Sequence, residues 1–466
     1  MAEEKKELER GKHEMDLTTG AILPKMLLFT VPIVLSSLLQ LLFNAADVIV
    51  VGRFAGDNSL AAVGSTGALV NLLTNLFLGV GVGVNVMAAR FYGARNRKDL
   101  SDTIHTSMLF SIVGGFVLTG IGLTLAEPML VLMQTPEKVL PLAALYLRIY
   151  FLGMPALMIY NFGSAVLRAK GDTRRPLIYL SIAGVLNVVL NLFFVIVLKM
   201  DVAGVGAATA ISQCLSALLI WICLTREEEM FRLDWRKLKL HTQRLLEVLR
   251  IGVPAGFEGI VFAISNVMIQ AAINGFGEVV VAGSSAASNI EGFVFMGMYA
   301  FSQSILSFMG QNMGAGRFDR IRRITRVNLA CTNVMGLALG GLASLFAKPL
   351  MGIYSSSPAV IDAGAYRLII MCLPYFLCGA MDSLLCAVRG LGHSFAPMLT
   401  SVLSICAFRI AWLYTIFRIP RFHTPGVVYW SYPVSWIVAL ISIYVIYLLV
   451  VRREVAPHLT AKQTAC

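Results

Sequence analysis

The chain has 466 residues, of which 57% are hydrophobic and only 14% are charged, and its mean hydropathy is +0.76. An ordinary soluble domain is about 25% charged, so this composition excludes a soluble globular protein and predicts an integral membrane protein that faces lipid. Although the formal net charge is +12, we expect no nucleic-acid partner, because Lys and Arg collect in the cytoplasmic loops of membrane proteins.

Residues 1–23 form a charged tail at the start of the chain. The sequence MAEEKKELERGKHEMD has no apolar core of its own, which excludes a cleavable signal peptide. We therefore expect this tail to remain in the cytoplasm.

Apolar runs between charged or Pro/Gly-rich breaks predict twelve transmembrane helices, because a spanning helix takes roughly 20 mostly apolar residues. In chain order the predicted spans are 24–52, 59–89, 103–126, 139–165, 176–198, 202–224, 246–274, 279–312, 324–347, 361–388, 396–417 and 430–451. Twelve is an even number, so both termini lie on the same side of the membrane.

The distribution of Lys and Arg predicts which side that is. Of the 38 Lys and Arg residues, 29 fall in the tails and loops on one side, six fall on the other, and Arg148, Arg367 and Arg409 lie inside helices. Because basic residues mark the cytoplasmic side, both termini are predicted to lie inside. We expect Arg148 and Arg367 to reach the membrane surface from positions near helix ends.

The longest loop separates two halves of six helices. We predict an N-lobe at 24–224, a cytoplasmic linker at 225–245 and a C-lobe at 246–451, with a cytoplasmic tail at 452–466. The linker is either an amphipathic surface helix or a solvated connector. The helix would be built on Phe231, Leu233, Trp235 and Leu238.

The two halves resemble each other at an offset of 221 or 222 residues. Val31-Pro32 matches Val253-Pro254, and LRAKGDTRRP at 167–176 matches VRGLGHSFAP at 388–397. Each half enters from the cytoplasm, so the repeats are parallel and related by an axis along the membrane normal. The sequence therefore predicts an all-α transporter of two pseudo-symmetric six-helix lobes that rock to give alternating access.

Polar side chains converge in the outer half of the N-lobe. On the first span Ser37, Gln40, Asn44 and Asp47 are spaced by three, four and three residues, which places them on one helix face. Asn187 and Asn191 share a face of the fifth span, and Thr209 follows on the sixth. Counted from the outer helix ends, Asp47, Asn191 and Thr209 lie at a common depth of roughly 9 to 12 Å.

This arrangement predicts a cation site at Asp47, with Asn187, Asn191 and Thr209 as further ligands. A lone carboxylate is costly in hydrocarbon, and binding a proton or a sodium ion would relieve that cost. The structural alternative is that Asp47 only hydrogen-bonds to a neighbouring helix.

Four further ionisable residues lie inside predicted C-lobe spans. Glu258, Glu291 and Arg409 are near the middle of their helices, and Asp382 comes seven residues before Arg389. Either these residues form buried ion pairs or they take part in substrate or proton handling. Together with Gln40 and Asn44, they are the candidates for the substrate cavity.

Enzyme motifs such as a Walker A loop or HExxH are absent, and no CxxC pair occurs among the eight cysteines. The glycine run Gly79, Gly81, Gly83 is typical of close helix packing in membranes. We therefore expect no enzyme activity and no cofactor, with transport driven by an ion gradient or passive.

The chain resembles the bacterial multidrug and toxic compound extrusion (MATE) transporters along nearly its whole length. The resemblance is carried by FNAADVIVVGRFAG (43–56), AARFYGARN (88–96), LRAKGDTRRP, NVVLNLFFV (187–195), VAGVGAATAISQ (202–213), FMGQNMGAG (308–316) and VRGLGHSFAP. It implies two six-helix lobes around a central cavity, and export of organic cations and other amphipathic compounds in exchange for protons or sodium.

By this resemblance, Asp47, Asn187 and Thr209 match residues of the family's N-lobe cation site. Asn191 stands where several members carry an aspartate, which leaves one carboxylate in place of two. Glu258 and Asp382 do not fall in register with the acidic C-lobe site of the sodium-coupled branch, so that site is not carried over.

The sequence thus predicts a secondary-active multidrug exporter in the cytoplasmic (plasma) membrane, acting as a monomer on small amphipathic molecules. Two alternatives remain. A flippase of lipid-linked precursors shares this architecture and would favour a basic cavity, and a membrane-embedded enzyme or passive channel is the third interpretation.

Overall fold

The computed structural model describes residues 14–227 and 230–458, and these residues form helices and connecting turns without a β-strand. The helices of the first repeat are α1 (Ile22–Phe54), α2 (Asp57–Gly93), α3 (Arg97–Leu132), α4 (Leu140–Leu152), α5 (Met154–Lys170), α6 (Arg174–Leu192) and α7 (Asp201–Thr225). A π-helical turn, Phe193–Val197, continues α6.

The second repeat follows the same order. Its helices are α8 (Thr242–Asn274), α9 (Glu278–Gly314), α10 (Phe318–Leu345), α11 (Ala347–Tyr354), α12 (Pro358–Cys372), α13 (Tyr375–Gly390), α14 (Phe395–Ser401), α15 (Phe408–Tyr414) and α16 (Pro425–Glu454). A π-helical turn, Val402–Ala407, joins α14 to α15.

The twelve predicted spans are confirmed by the length and apolar character of these helices. Within the described ranges, ten helical segments are long and apolar enough to cross a bilayer. The pairs α4/α5 and α12/α13, which bend by 48° and 44° between their halves, bring the number to twelve when each pair is counted as one span. The chain is therefore a multi-pass membrane protein.

The internal repeat extends to individual turns of the backbone. Gly56 and Gly277 precede the second helix of each repeat with φ of 88° and 90°, and Gly171 and Gly392 follow the fourth span of each repeat with φ of 106° and 99°. Residues other than glycine rarely adopt this left-handed backbone conformation, which explains why glycine occupies both copies of each turn.

The described residues group into two compact units. Unit 1 takes the residues up to Asp16 and those of Val31–Gly256, and unit 2 takes Leu17–Thr30 and the residues from Phe257 onward. The change of unit therefore falls inside α1 and α8, next to Pro32 and Pro254, and not at the ends of the predicted lobes.

Hydrogen bonds explain why the start of α1 belongs to unit 2. The backbone N–H of Leu17 donates to Gln311 Oε1 at 3.1 Å, and the Asn312 side chain donates to the Leu17 carbonyl at 3.0 Å. Further along, the hydroxyls of Thr30 and Ser304 are 2.8 Å apart.

Glycines bring α2 and the first half of α8 into backbone contact within unit 1. A Cβ placed on Gly83 would lie 2.2 Å from the Val248 carbonyl oxygen, and one on Gly252 would lie 2.4 Å from the Val80 Cα. A Cβ placed on Gly81 would meet no atom within 4 Å. Close packing thus accounts for Gly83 of the predicted glycine run but not for Gly81.

The surface helix is not formed. Between α7 and α8, the described part of the linker is a mostly exposed connector whose one regular element is a short 3₁₀ turn at Trp235–Lys237. Phe231 and Leu233 are buried, with the Phe231 ring centre 5.0 Å from that of Tyr92, while Trp235 is exposed. His105 Nε2 accepts a hydrogen bond from the Asp234 N–H at 3.0 Å, which ties the linker to α3.

Candidate functional site

Asp47 lies on α1 and is buried, with only 7% of its surface exposed. Asn191 of α6 donates a hydrogen bond from Nδ2 to Asp47 Oδ1. The Thr209 hydroxyl of α7 donates to the second carboxylate oxygen, Oδ2, at 3.4 Å. Three helices of unit 1 therefore meet at one carboxylate, as the sequence predicted from the shared helix faces and the common depth of these residues.

Asn187 completes the same network. Its Nδ2 donates to Thr209 Oγ1 at 3.4 Å, and its Oδ1 accepts from Asn191 Nδ2 at 3.2 Å. Asn187 and Asn191 meet because residues four apart share a face of α6. The structure thus brings together all four residues predicted for the cation site.

The network contains an oxygen that lacks a donor. Asn191 Oδ1 is fully buried and has no hydrogen-bond partner in the described chain. A buried acceptor without a donor is unfavourable, and it lies on the side chain that contacts the Asp47 carboxylate. Oxygens of this kind fit a hard cation such as sodium, and the carboxylate alone fits a proton.

A glycine allows α1 and α6 to approach this closely. A Cβ on Gly184 would lie 1.8 Å from Cε2 of Phe43, so the Phe43 ring occupies the space of a missing side chain. Phe43 lies one helical turn before Asp47, and this contact fixes the spacing between Asp47 and the asparagines of α6.

The network opens into a cavity of about 290 Å³ inside unit 1. Gln40 and Asn44 line this cavity together with Asp47, Asn187 and Thr209, so the polar stripe of α1 faces one space. Sequence reasoning missed the other polar wall residues, although each is a polar side chain in an otherwise apolar helix. They include Asn71, Thr74, Tyr146, Tyr150, Asn161 and Gln213.

The four C-lobe candidates separate into two groups. Glu258 forms an ion pair with Arg389, and Asp382 lies beside Arg389 and Ser302. Glu291 forms a bidentate pair with Arg367, in which Nε–Oε1 is 2.8 Å and Nη2–Oε2 is 3.0 Å. The expectation that Arg367 extends to the membrane surface is wrong, because this pair holds it buried at 5% exposure.

Glu291 and Arg409 face a second cavity, of about 390 Å³, inside unit 2. Arg367 lines it as well, whereas Glu258 and Asp382 do not. By contrast, Arg148 is exposed and pairs with Glu127 at 2.9 Å. Glu258 and Asp382 therefore lie beside Arg389 and away from this cavity, whereas Glu291 and Arg409 form part of the cavity wall.

A charged cluster joins the start of the linker to the end of α5 and the start of α6. Glu227 accepts from Lys170 Nζ at 2.9 Å and pairs with Arg175. Burial alone would raise the pKa of Glu227, but the two cations outweigh it and hold the pKa below its usual value. This carboxylate is therefore ionised and structural.

Comparison with known proteins gives matches along most of the chain. The family model described as MatE matches residues 32–193 and 254–415, two regions that begin 222 residues apart, which confirms the internal repeat. "Probable multidrug resistance protein YoeA" of Bacillus subtilis (strain 168) is 27% identical, over 92% of this chain and 94% of its own. "Probable multidrug resistance protein NorM" of Thermotoga maritima is 26% identical, over 83% and 84%.

Solved structures share the fold. The Vibrio cholerae MATE transporter VcmN in its bent form superposes with a TM-score of 0.85 at 21% identity, covering 92% of this chain and 97% of that one.

Proposed function

The chain belongs to the MatE family of membrane transporters, and from this premise we propose that it is a secondary-active exporter of the cytoplasmic membrane. It exchanges organic cations and amphipathic compounds for protons or sodium by alternating access. Asp47 is the coupling residue, and Asn187, Asn191 and Thr209 position it.

The observation that carries this proposal is the position of Asp47. Its carboxylate contacts Asn191 and Thr209, lines a cavity, and has no Lys or Arg partner among the described residues. A buried carboxylate without a basic partner is unfavourable when charged, so a bound cation or proton stabilises it. A cationic substrate in the same cavity would compete with that ion, which couples the two fluxes.

The test uses proteoliposomes with an imposed pH gradient or an imposed sodium gradient, and follows a fluorescent organic cation. We expect one gradient to drive transport by the wild type and Asp47→Asn to lose it, because the substitution is isosteric and removes only the charge. Asp362→Asn is the matched control: Asp362 is exposed and pairs with Lys348 at 2.8 Å. Wild-type coupling in Asp47→Asn would overturn the assignment.

The same vesicles separate the alternatives. A passive channel would move the dye without saturation and without exchange. If neither gradient moves the dye, lipid-linked precursors become the cargo to test, and the exporter proposal fails.

A further inference from the structure

Arg409 is a buried cation without a carboxylate partner in the part of the chain that the structure describes. Arg409 lies on α15, two residues after the end of the π-helical turn Val402–Ala407, and only 2% of its surface is exposed. Its Nε donates to Ser435 Oγ at 3.0 Å, and its guanidinium carbon lies 3.9 Å from the centre of the Tyr432 ring. These contacts orient the side chain but do not neutralise it.

The other buried arginines of unit 2 are each neutralised by a carboxylate. Arg389 pairs with Glu258, and Arg367 pairs with Glu291. Glu291 also lines the cavity that Arg409 faces, but both of its oxygens accept from Arg367. The cavity wall therefore holds two arginines and one glutamate, and the uncompensated charge lies on Arg409.

A buried charge without a counter-ion is unfavourable, so this cavity favours an anion. The cavity volume of about 390 Å³ is within the range of small-molecule sites, roughly 300 to 1,000 Å³. Its walls are rich in aromatic rings, from Phe295, Tyr375, Tyr432 and Trp436, and carry amides from Asn266 and Gln270. Aromatic walls bind planar apolar groups by stacking and edge contacts.

We propose that unit 2 contains a binding site for an aromatic organic anion, whose carboxylate or sulfonate group accepts hydrogen bonds from the Arg409 guanidinium. Tyr432 and Trp436 contact the ring of the ligand. This site goes beyond the proposed exchange at Asp47, because the ligand has the opposite charge and binding at equilibrium needs no ion gradient.

The experiment measures equilibrium binding to the full chain in nanodiscs of zwitterionic lipid. The probes are 7-methoxycoumarin-3-carboxylate and its uncharged carboxamide, which share size and ring. We expect the carboxylate to bind at least about tenfold more tightly, since a hydrogen bond to a charged group is worth about that factor or more. Equal affinities in the wild type would overturn the proposal without the use of any variant.

Variants then assign the preference to Arg409. Arg409→Gln should reduce carboxylate affinity to the carboxamide level while leaving carboxamide binding unchanged, which also shows that the variant is folded. Arg409→Lys keeps the charge and should retain a preference of smaller size, so it replaces the glutamine variant if that one does not fold. Arg148→Gln removes an exposed helix arginine and should change neither affinity.

A final arm distinguishes a soluble anion from a lipid headgroup. Nanodiscs that contain phosphatidylglycerol should leave carboxylate affinity within about threefold of the zwitterionic value, the change that surface charge alone produces. A tenfold loss would assign the site to an anionic lipid and overturn the aromatic ligand. A preference that survives Arg409→Gln would place the anion elsewhere and overturn the site.

Discussion

Asn187 and Arg409 occupy equivalent positions of the two repeats, 222 residues apart, in the register that the family match itself defines. Asn187 belongs to the hydrogen-bonded network of a carboxylate, whereas Arg409 faces its own cavity without a carboxylate partner among the described residues. One position of the ancestral six-helix unit thus serves a negatively charged site in one copy and a positively charged site in the other.

Asn191→Asp places a second carboxylate against Asp47. Two carboxylates in contact share a proton, because the like charge disfavours double ionisation. We expect the pH midpoint of dye transport to move to higher pH by about one unit or more, measured in proteoliposomes over a series of buffers. Asn161→Asp adds a carboxylate to the same cavity at a side chain that bonds to the Leu157 carbonyl and not to Asp47, and an equal shift in that variant would contradict a shared site.

Glu258 and Arg389 are expected to act as a structural pair. Glu258→Gln leaves a buried guanidinium without its partner and should destabilise the protein by about 3 to 5 kcal/mol. Glu258→Gln combined with Arg389→Gln removes both charges of the pair and should recover part of that loss, measured as the melting temperature in nanodiscs; the recovery is incomplete because Asp382 then lacks the neighbouring guanidinium.

Transport by the double variant tests the same pair functionally. If the pair is structural, the folded double variant should transport the dye at a rate within about threefold of the wild-type rate. A stable double variant without transport would instead give Glu258 a role in proton or substrate handling.

The glycine contact between α2 and α8 predicts a stability difference at two neighbouring positions. Gly83→Ala places a methyl group into the Val248 carbonyl, and overpacking of this kind costs about 1 to 3 kcal/mol. Gly81→Ala meets open space and should be neutral or slightly stabilising, because alanine favours the helix. Thermal unfolding followed by tryptophan fluorescence compares the two, and equal losses would contradict the packing.

Glu227→Gln tests the charged cluster at the linker. Its carboxylate pairs with Lys170 and Arg175, which also pair with Glu14 and Asp172. Neither cation is left unpaired in the variant, so the substitution at pH 7 should cost about 1.5 to 3 kcal/mol, the contribution of hydrogen bonds to charged groups. The pKa of Glu227 is held below its ordinary value of 4.5, so the stabilisation is complete above that pH and is lost as the pH falls through the lowered pKa. The gap in melting temperature between wild type and variant should therefore narrow below about pH 4.5.

Glu247→Gln is the matched control for that experiment. Glu247 also pairs with an arginine, Arg244, at 2.7 Å, but its side chain is one-third exposed. Its loss should cost less than about 1 kcal/mol, because solvent screens a pair of this kind.

Hydropathy was sufficient to predict the twelve spans, and helical periodicity was sufficient to bring Asp47, Asn187, Asn191 and Thr209 together. Both signals depend only on where a residue lies along its own helix. The partner of Arg367 could not be predicted in this way, because Glu291 lies 76 residues away and the pair depends on how α9 packs against α12. The same holds for the buried linker segment, whose position depends on contacts with α3.

The left-handed glycines have a consequence for the history of the chain. Both copies of the turn before the second span, and both copies of the turn after the fourth, still carry glycine. The helix faces outside these turns have diverged, so that the first copy presents Asp47 to its cavity and the second presents Arg409. After the duplication, the connections were kept while the interiors changed, so that one ancestral six-helix unit gave rise to two compartments whose buried side chains carry opposite charge: the Asp47 carboxylate in one and the Arg409 guanidinium in the other.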